Sequence, residues 1–107
     1  EIRRGNRYDA IILDPPSYGR GPTGEVWKIE DSIGDFLELC RQVLSDEPLF
    51  VLLNSYTTGL ASSTMAYLLH LKICARLGGR VTADEIGLVT STTGMALGCG
   101  ASARWTR

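Results

Sequence analysis

The sequence predicts one α/β domain of 107 residues, and three observations carry that prediction. Two largely apolar runs of strand length, from Tyr8 to Leu13 with Asp9 its one charged residue and from Leu49 to Leu53, flank a stretch whose apolar residues recur at helical spacing, the pattern of a βαβ unit. A second helical stretch ends at the glycine pair Gly78-Gly79. After it come two weaker strands whose connection is too short to hold a helix, so they form an antiparallel pair.

The first apolar run stops at Asp14-Pro15-Pro16, which presents a carboxylate at the C-terminal end of a strand. In open α/β sheets the crevice outside those ends is where ligands bind. Two successive prolines fix φ and remove two backbone donors, leaving a stiff corner rich in acceptors. Tyr18 adds a ring that can lie against a planar group, and Gly19, Gly21, Pro22 and Gly24 form a loop able to approach a ligand closely. That loop lacks the lysine followed by serine or threonine of a P-loop, which argues against a nucleotide triphosphatase.

Ile33, Phe36, Leu37, Cys40 and Leu44 then mark the buried stripe of a helix with Asp31 or Ser32 as its cap. It ends near Ser45, and Pro48 blocks continuation into the second strand. Asn54-Ser55-Tyr56-Thr57-Thr58-Gly59 closes that strand in a polar turn. Parallel strands point the same way, so this turn lies on the same sheet edge as Asp14. The second helix runs from about Ser63 to Leu77, capped by Ser62 or Ser63, with Met65, Leu68, Leu69, Ile73 and Leu77 apolar. The last two strands run from Val81 to Leu88 and from Cys99 to Trp105, around the turn-rich Thr90-Ser91-Thr92-Thr93-Gly94.

Apolar residues at 44% and charged residues at 21% are ordinary for a folded soluble domain. A net charge of −1 gives no global electrostatic reason to bind nucleic acid, so any such contact is local, at Arg3, Arg4 and Arg7 or at Arg20 and Lys28. Cys40, Cys74 and Cys99 are odd in number and far apart, with no paired spacing that suggests a disulfide framework or a metal site, and a reducing cytosol fits best. All three read as small buried hydrophobes. The longest apolar segment contains His70, Lys72 and Arg76, so nothing reads as a membrane span. The chain has no initiator methionine and enters its first strand almost at once, which suggests that it continues a longer protein.

Asp14-Pro15-Pro16-Ser17-Tyr18-Gly19 after an apolar strand resembles the fourth-strand motif of class I S-adenosylmethionine-dependent methyltransferases. The longer phrase through Gly24-Glu25-Val26-Trp27-Lys28 is most similar to the bacterial group related to the large-subunit ribosomal RNA cytosine-5 methyltransferases. Strand, helix, strand, helix and hairpin is the order of the second half of that fold. The resemblance implies residues 1–107 as the C-terminal half of a catalytic domain, with a four-stranded mixed sheet in the family's order 4-5-7-6 and the last strand antiparallel. The glycine-rich cofactor turn and the acid that holds the cofactor ribose belong to the first half of the family fold, and neither is found in this sequence.

The resemblance also implies roles. Asp14, Pro15, Pro16 and Tyr18 are the catalytic candidates, with Asp14 beside the transferred methyl group of S-adenosylmethionine; the alternative for Asp14 is a residue that caps its own turn. Tyr18 either stacks on a flipped base or packs over its own glycine turn. Arg20, Asn54 and Tyr56 join Tyr18 as substrate-binding candidates, Arg20 towards a phosphate. The related cytosine-5 enzymes carry a cysteine nucleophile in the turn that Asn54, Ser55 and Tyr56 occupy, and this sequence has none there. Trp27 is expected to anchor the glycine loop against the following helix. The implied partner is RNA, reached through the longer protein. The implied alternative is a non-catalytic α/β remnant that self-associates through the exposed edge of the strand from Tyr8 to Leu13.

Overall fold

The computed structural model describes residues 1–107. The opening apolar run forms β1 (Ala10–Leu13). Its entry is already tied to the segment before the second strand: Tyr8 N–H donates to the Val43 carbonyl at 2.8 Å, and Leu49 N–H to the Asp9 carbonyl at 2.6 Å. The glycine stretch, expected as a loop, contains a short antiparallel hairpin of β2 (Tyr18–Arg20) and β3 (Val26–Lys28). Three-residue strands carry no readable alternation. The hairpin is held instead by its turn, where Gly24 adopts φ +91° and the Glu25 carboxylate accepts from the Thr23 hydroxyl and backbone N–H.

Helix α1 (Ile29–Gln42) starts earlier than a cap at Asp31 or Ser32 allows. Its cap residue is Lys28, which offers no side-chain acceptor; Ile29 N–H is satisfied by the Ser17 carbonyl at 3.1 Å. A tertiary hydrogen bond thus replaces the local cap, and Glu30 and Asp31 fall in the first turn where they complement the helix dipole. Strand β4 (Phe50–Ser55) follows. Helix α2 (Ser62–Leu69) is capped by Ala61, runs through a π turn at His70–Cys74 and ends in α3 (Ala75–Leu77). As the sequence indicates, Gly78 stops it with φ +72°. The last hairpin pairs β5 (Arg80–Val89) with β6 (Ala96–Thr106).

The main sheet has the order β1-β4-β6-β5, with β1 and β4 parallel and β6 antiparallel to both its neighbours. The expected adjacency of the two apolar runs and the insertion of the last strand are both present. Leu13, Val51, Leu53, Ala101, Ala103 and Trp105 form one core with Ile29, Ile33, Leu37 and Cys40 of α1 and with Met65, Leu69 and Ile73. Both helical segments therefore cover the same face. On the other face Ile12 is 67% exposed and Leu52, Ser102 and Arg104 lie open or half-open, so the apolar run of β1 is covered on one side only.

Only one of the three cysteines is buried as expected. Cys40 faces the core, and burial pushes its thiol pKa up. Cys74 is half-buried, and Cys99 is exposed. Cys99 lies in the part of β6 that extends past the end of β4, where no helix reaches it.

Candidate functional site

The site is built where β1 and β4 end. These strands are parallel neighbours, so Asp14-Pro15-Pro16 and the turn after Ser55 emerge on the same edge. Ser17 and Thr57, separated by 40 positions, join the two turns by a hydroxyl–hydroxyl hydrogen bond of 2.6 Å. Ser55, buried under the sheet, accepts from Thr57 N–H at 3.2 Å and so sets the turn that brings Thr57 into reach. Neither Ser17 nor Thr57 was among the sequence candidates. Their serine and threonine types are the only signal, and such residues are common in turns for local reasons.

Two clefts flank this junction. One, of about 290 Å³, is lined by Ile12, Leu13, Asp14, Pro15, Pro16, Trp27 and Phe36. The Asp14 side chain is solvent-exposed and makes no hydrogen bond or ion pair, so it does not cap its own turn. Trp27 closes the cleft as expected: its indole N–H donates to the Pro16 carbonyl at 2.6 Å, and its ring meets Phe36 edge-on at 5.6 Å between centroids. One acceptor of the proline corner is thereby spent within the chain, and the corner is fixed against α1.

The second cleft, of about 480 Å³, holds Ser17, Tyr18, Lys28, Glu30, Thr57 and Thr58 among its lining residues. Tyr18 and Arg20 share a face of β2, and the Arg20 Nε–H donates to the Tyr18 hydroxyl at 2.8 Å. The ring and the cation are thus presented together. The hairpin carrying them is stiffened by Glu25, whose carboxylate is held below its usual range, chiefly by the Thr23 hydroxyl and then by backbone N–H groups.

The sequence candidates fall into three groups. Asp14, Pro15 and Pro16 line the first cleft, and Tyr18 lines the second with Arg20 bonded to it. Asn54 and Tyr56 line neither cleft. Asn54 lies opposite Ser102 in the sheet, and the exposed Tyr56 ring lies against Gly100, where a Cβ would come within 2.6 Å of it. Lys28, which the sequence marks with Arg20 as a local basic contact, also lines the second cleft, together with Glu30 and Thr58.

The Ser17–Thr57 bond has a measurable weight. In a double-mutant cycle, Ser17→Ala and Thr57→Val are expected to couple by about 1 kcal/mol in urea unfolding, the net value of one hydroxyl pair. Additive effects of the two substitutions would show that the turns are held together by something else.

No protein-family model matches the sequence, and a search of curated proteins returns no significant match. Solved structures do match. A SAM-dependent methyltransferase from Agrobacterium tumefaciens superposes with a TM-score of 0.88 at 32% identity, over 99% of this chain and 35% of that enzyme. SMU.776, described as a methyltransferase and complexed with SAH, matches with a TM-score of 0.60 at 16% identity, over 97% of this chain and 27% of its own. Precorrin 8W decarboxylase from Methanobacterium thermoautotrophicum matches with a TM-score of 0.54 at 10% identity, over 99% of this chain and 49% of its own. The chain thus spans about a third of the length of the Agrobacterium enzyme. Together with the sheet order and the position of the Asp14 corner, these likenesses give the chain the fold of the second half of a class I S-adenosylmethionine-dependent methyltransferase.

Proposed function

We propose that residues 1–107 form the catalytic-side half of an S-adenosylmethionine-dependent methyltransferase domain that acts on an RNA base as part of a longer chain, in the cytoplasm. The observation that carries this reading is the Asp14-Pro15-Pro16 corner, fixed by Trp27 at the end of β1 and joined through Ser17 to the turn after β4. The likeness to the Agrobacterium methyltransferase supports it. The phrase from Asp14 to Lys28 favours the group related to ribosomal RNA cytosine-5 enzymes, although Asn54, Ser55 and Tyr56 supply no cysteine nucleophile.

S-adenosylmethionine has the right chemistry for one end of the first cleft. Its sulfonium is a cation beside which an unpaired, exposed carboxylate is favourable, and Leu13, Pro15, Trp27 and Phe36 give its methyl group apolar walls. At about 290 Å³ the cleft lies at the low end of ligand pockets, so the adenosine end rests on groups outside this chain. When bound, the cofactor supplies an electrophilic methyl group. The residues here position: Asp14 orients, the prolines hold it rigid, and Tyr18 offers its face to a planar base while Arg20 steadies the phenol and faces a phosphate.

The second reading is a non-catalytic α/β module that self-associates through the edge of β1. It draws on Ile12, two-thirds exposed on an edge strand. Calorimetry with S-adenosylhomocysteine separates the two. The longer gene product is expected to bind it, and residues 1–107 alone only very weakly and without turnover. No binding by the longer product would sink the methyltransferase reading and leave the module.

A further inference from the structure

From Ile86 to Ala103 the chain carries no Asp, Glu, Lys, Arg or His, a run of 18 residues in a protein that is 21% charged. Strand β4 pairs with β6 only from Ala101 onwards, so Ile86–Val89 and Ala96–Gly100 project past the sheet as a two-stranded arm. Leu88 and Leu97 are cross-strand partners and share one face of this arm; Val89 lies on the other, and Met95 sits at the turn. Each of these four side chains is between 64% and 73% exposed, so neither face rests on the core.

The arm is nevertheless built. Its tip is held by Thr90, whose N–H donates to the Met95 carbonyl at 2.9 Å while its hydroxyl meets that of Thr93 at 2.6 Å. The ladder shifts at Ile86/Gly87, where Cys99 is the extra residue on β6, so β5 keeps ten residues in an uninterrupted outer edge. That edge has no charge beyond Glu85 and no proline, the usual devices that stop strand pairing.

We infer that the β5 edge of this arm is a homodimer interface, pairing antiparallel with the same edge of a second copy. A two-fold axis makes a single strand its own complement, because each outward N–H meets a carbonyl of the copy. Charge selects the register. An axis at Gly87 sets Ile86 opposite Leu88 of the second copy and leaves Asp84 and Glu85 opposite Thr90 and Val89. An axis between Asp84 and Glu85 sets carboxylates face to face and is disfavoured. Leu88, Val89, Met95 and Leu97 together present on the order of 450 Å² of apolar surface around this edge, the size of a monomer's largest patch. This contact lies at the sheet edge opposite β1, so it is independent of the methyltransferase reading and of any pairing at β1.

Sedimentation equilibrium of the longer chain that contains residues 1–107 is expected to give a dimer mass. The pair Leu88→Lys with Leu97→Lys is expected to weaken dimerisation at least tenfold with the far-ultraviolet circular dichroism unchanged, since both side chains are solvent-exposed. Ile12→Lys, at the opposite edge, is expected to leave the dimer intact. Hydrogen exchange adds a readout that does not depend on mutation: outward amides of residues 86–90 gain protection as protein concentration rises. A wild-type chain that is monomeric throughout, a dimer that survives both arm lysines, or a dimer lost on Ile12→Lys overturns the proposal.

Discussion

Replacing Trp105 by alanine is expected to be the most destabilising single substitution in this core. Trp105 is the largest fully buried side chain, and it stands on β6, the strand that bridges β4 and β5. Its indole N–H donates to the Gly78 carbonyl at 2.7 Å, which ties the sheet to the end of the second helical segment. At Gly79, with φ +88°, a Cβ would come within 2.8 Å of the same indole nitrogen, so glycine is required for this closure. Truncating a buried tryptophan to alanine costs about 3–5 kcal/mol, against a total stability of roughly 5–15 kcal/mol for a domain. A sheet covered on one face has little in reserve. Trp105→Phe keeps most of the volume and loses the hydrogen bond, so it is expected to cost less, about 1–3 kcal/mol. Urea unfolding followed by circular dichroism checks both; equal midpoints for wild type and Trp105→Ala would show that β6 is held without its core residue.

The second large effect is on rate. In the longer chain, Asp14→Ala is expected to lower methyl transfer by about 100-fold or more, the cost of losing positioning at the reacting centre. Its effect on stability is expected to stay within about 0.5 kcal/mol, because the carboxylate is exposed and holds no partner in the chain. Rate and folded fraction are measured on the same preparation. If they fall in proportion, Asp14 is a structural residue, and the reading of the first cleft as the cofactor's end is lost. Asp14→Asn sharpens the comparison: it preserves shape and removes the charge, so an electrostatic role predicts a loss close to that of alanine.

Asp14 and Trp105 also mark the boundary between what is local in the chain and what is not. The two apolar runs, the helical stripe between them and the Gly78 stop follow from side-chain periodicity and backbone freedom, which neighbouring residues carry by themselves. So does the corner at Asp14, because two prolines fix their own φ wherever they stand. With the parallel direction of two strands joined by a helix, these features determined the fold class, the pairing of β1 with β4 and the edge on which the site lies. The sequence alone also supplied the motif from Asp14 to Lys28 on which the methyltransferase resemblance rests.

Tertiary structure decided whatever depends on groups distant in the chain. The start of α1 is set by the Ser17 carbonyl rather than by Asp31 or Ser32, and the two turns of the candidate site are joined by hydroxyls 40 positions apart. Asn54 and Tyr56 leave the candidate clefts because the strand's alternation and the open backbone at Gly100 direct them elsewhere. Cys99 is exposed because β4 ends before it, a matter of relative strand length that its own neighbours do not encode. The same inequality of length leaves the arm from Ile86 to Gly100 bare. Its missing charges are visible in the sequence, but a charge-free strand reads as core until the sheet beside it is seen to stop.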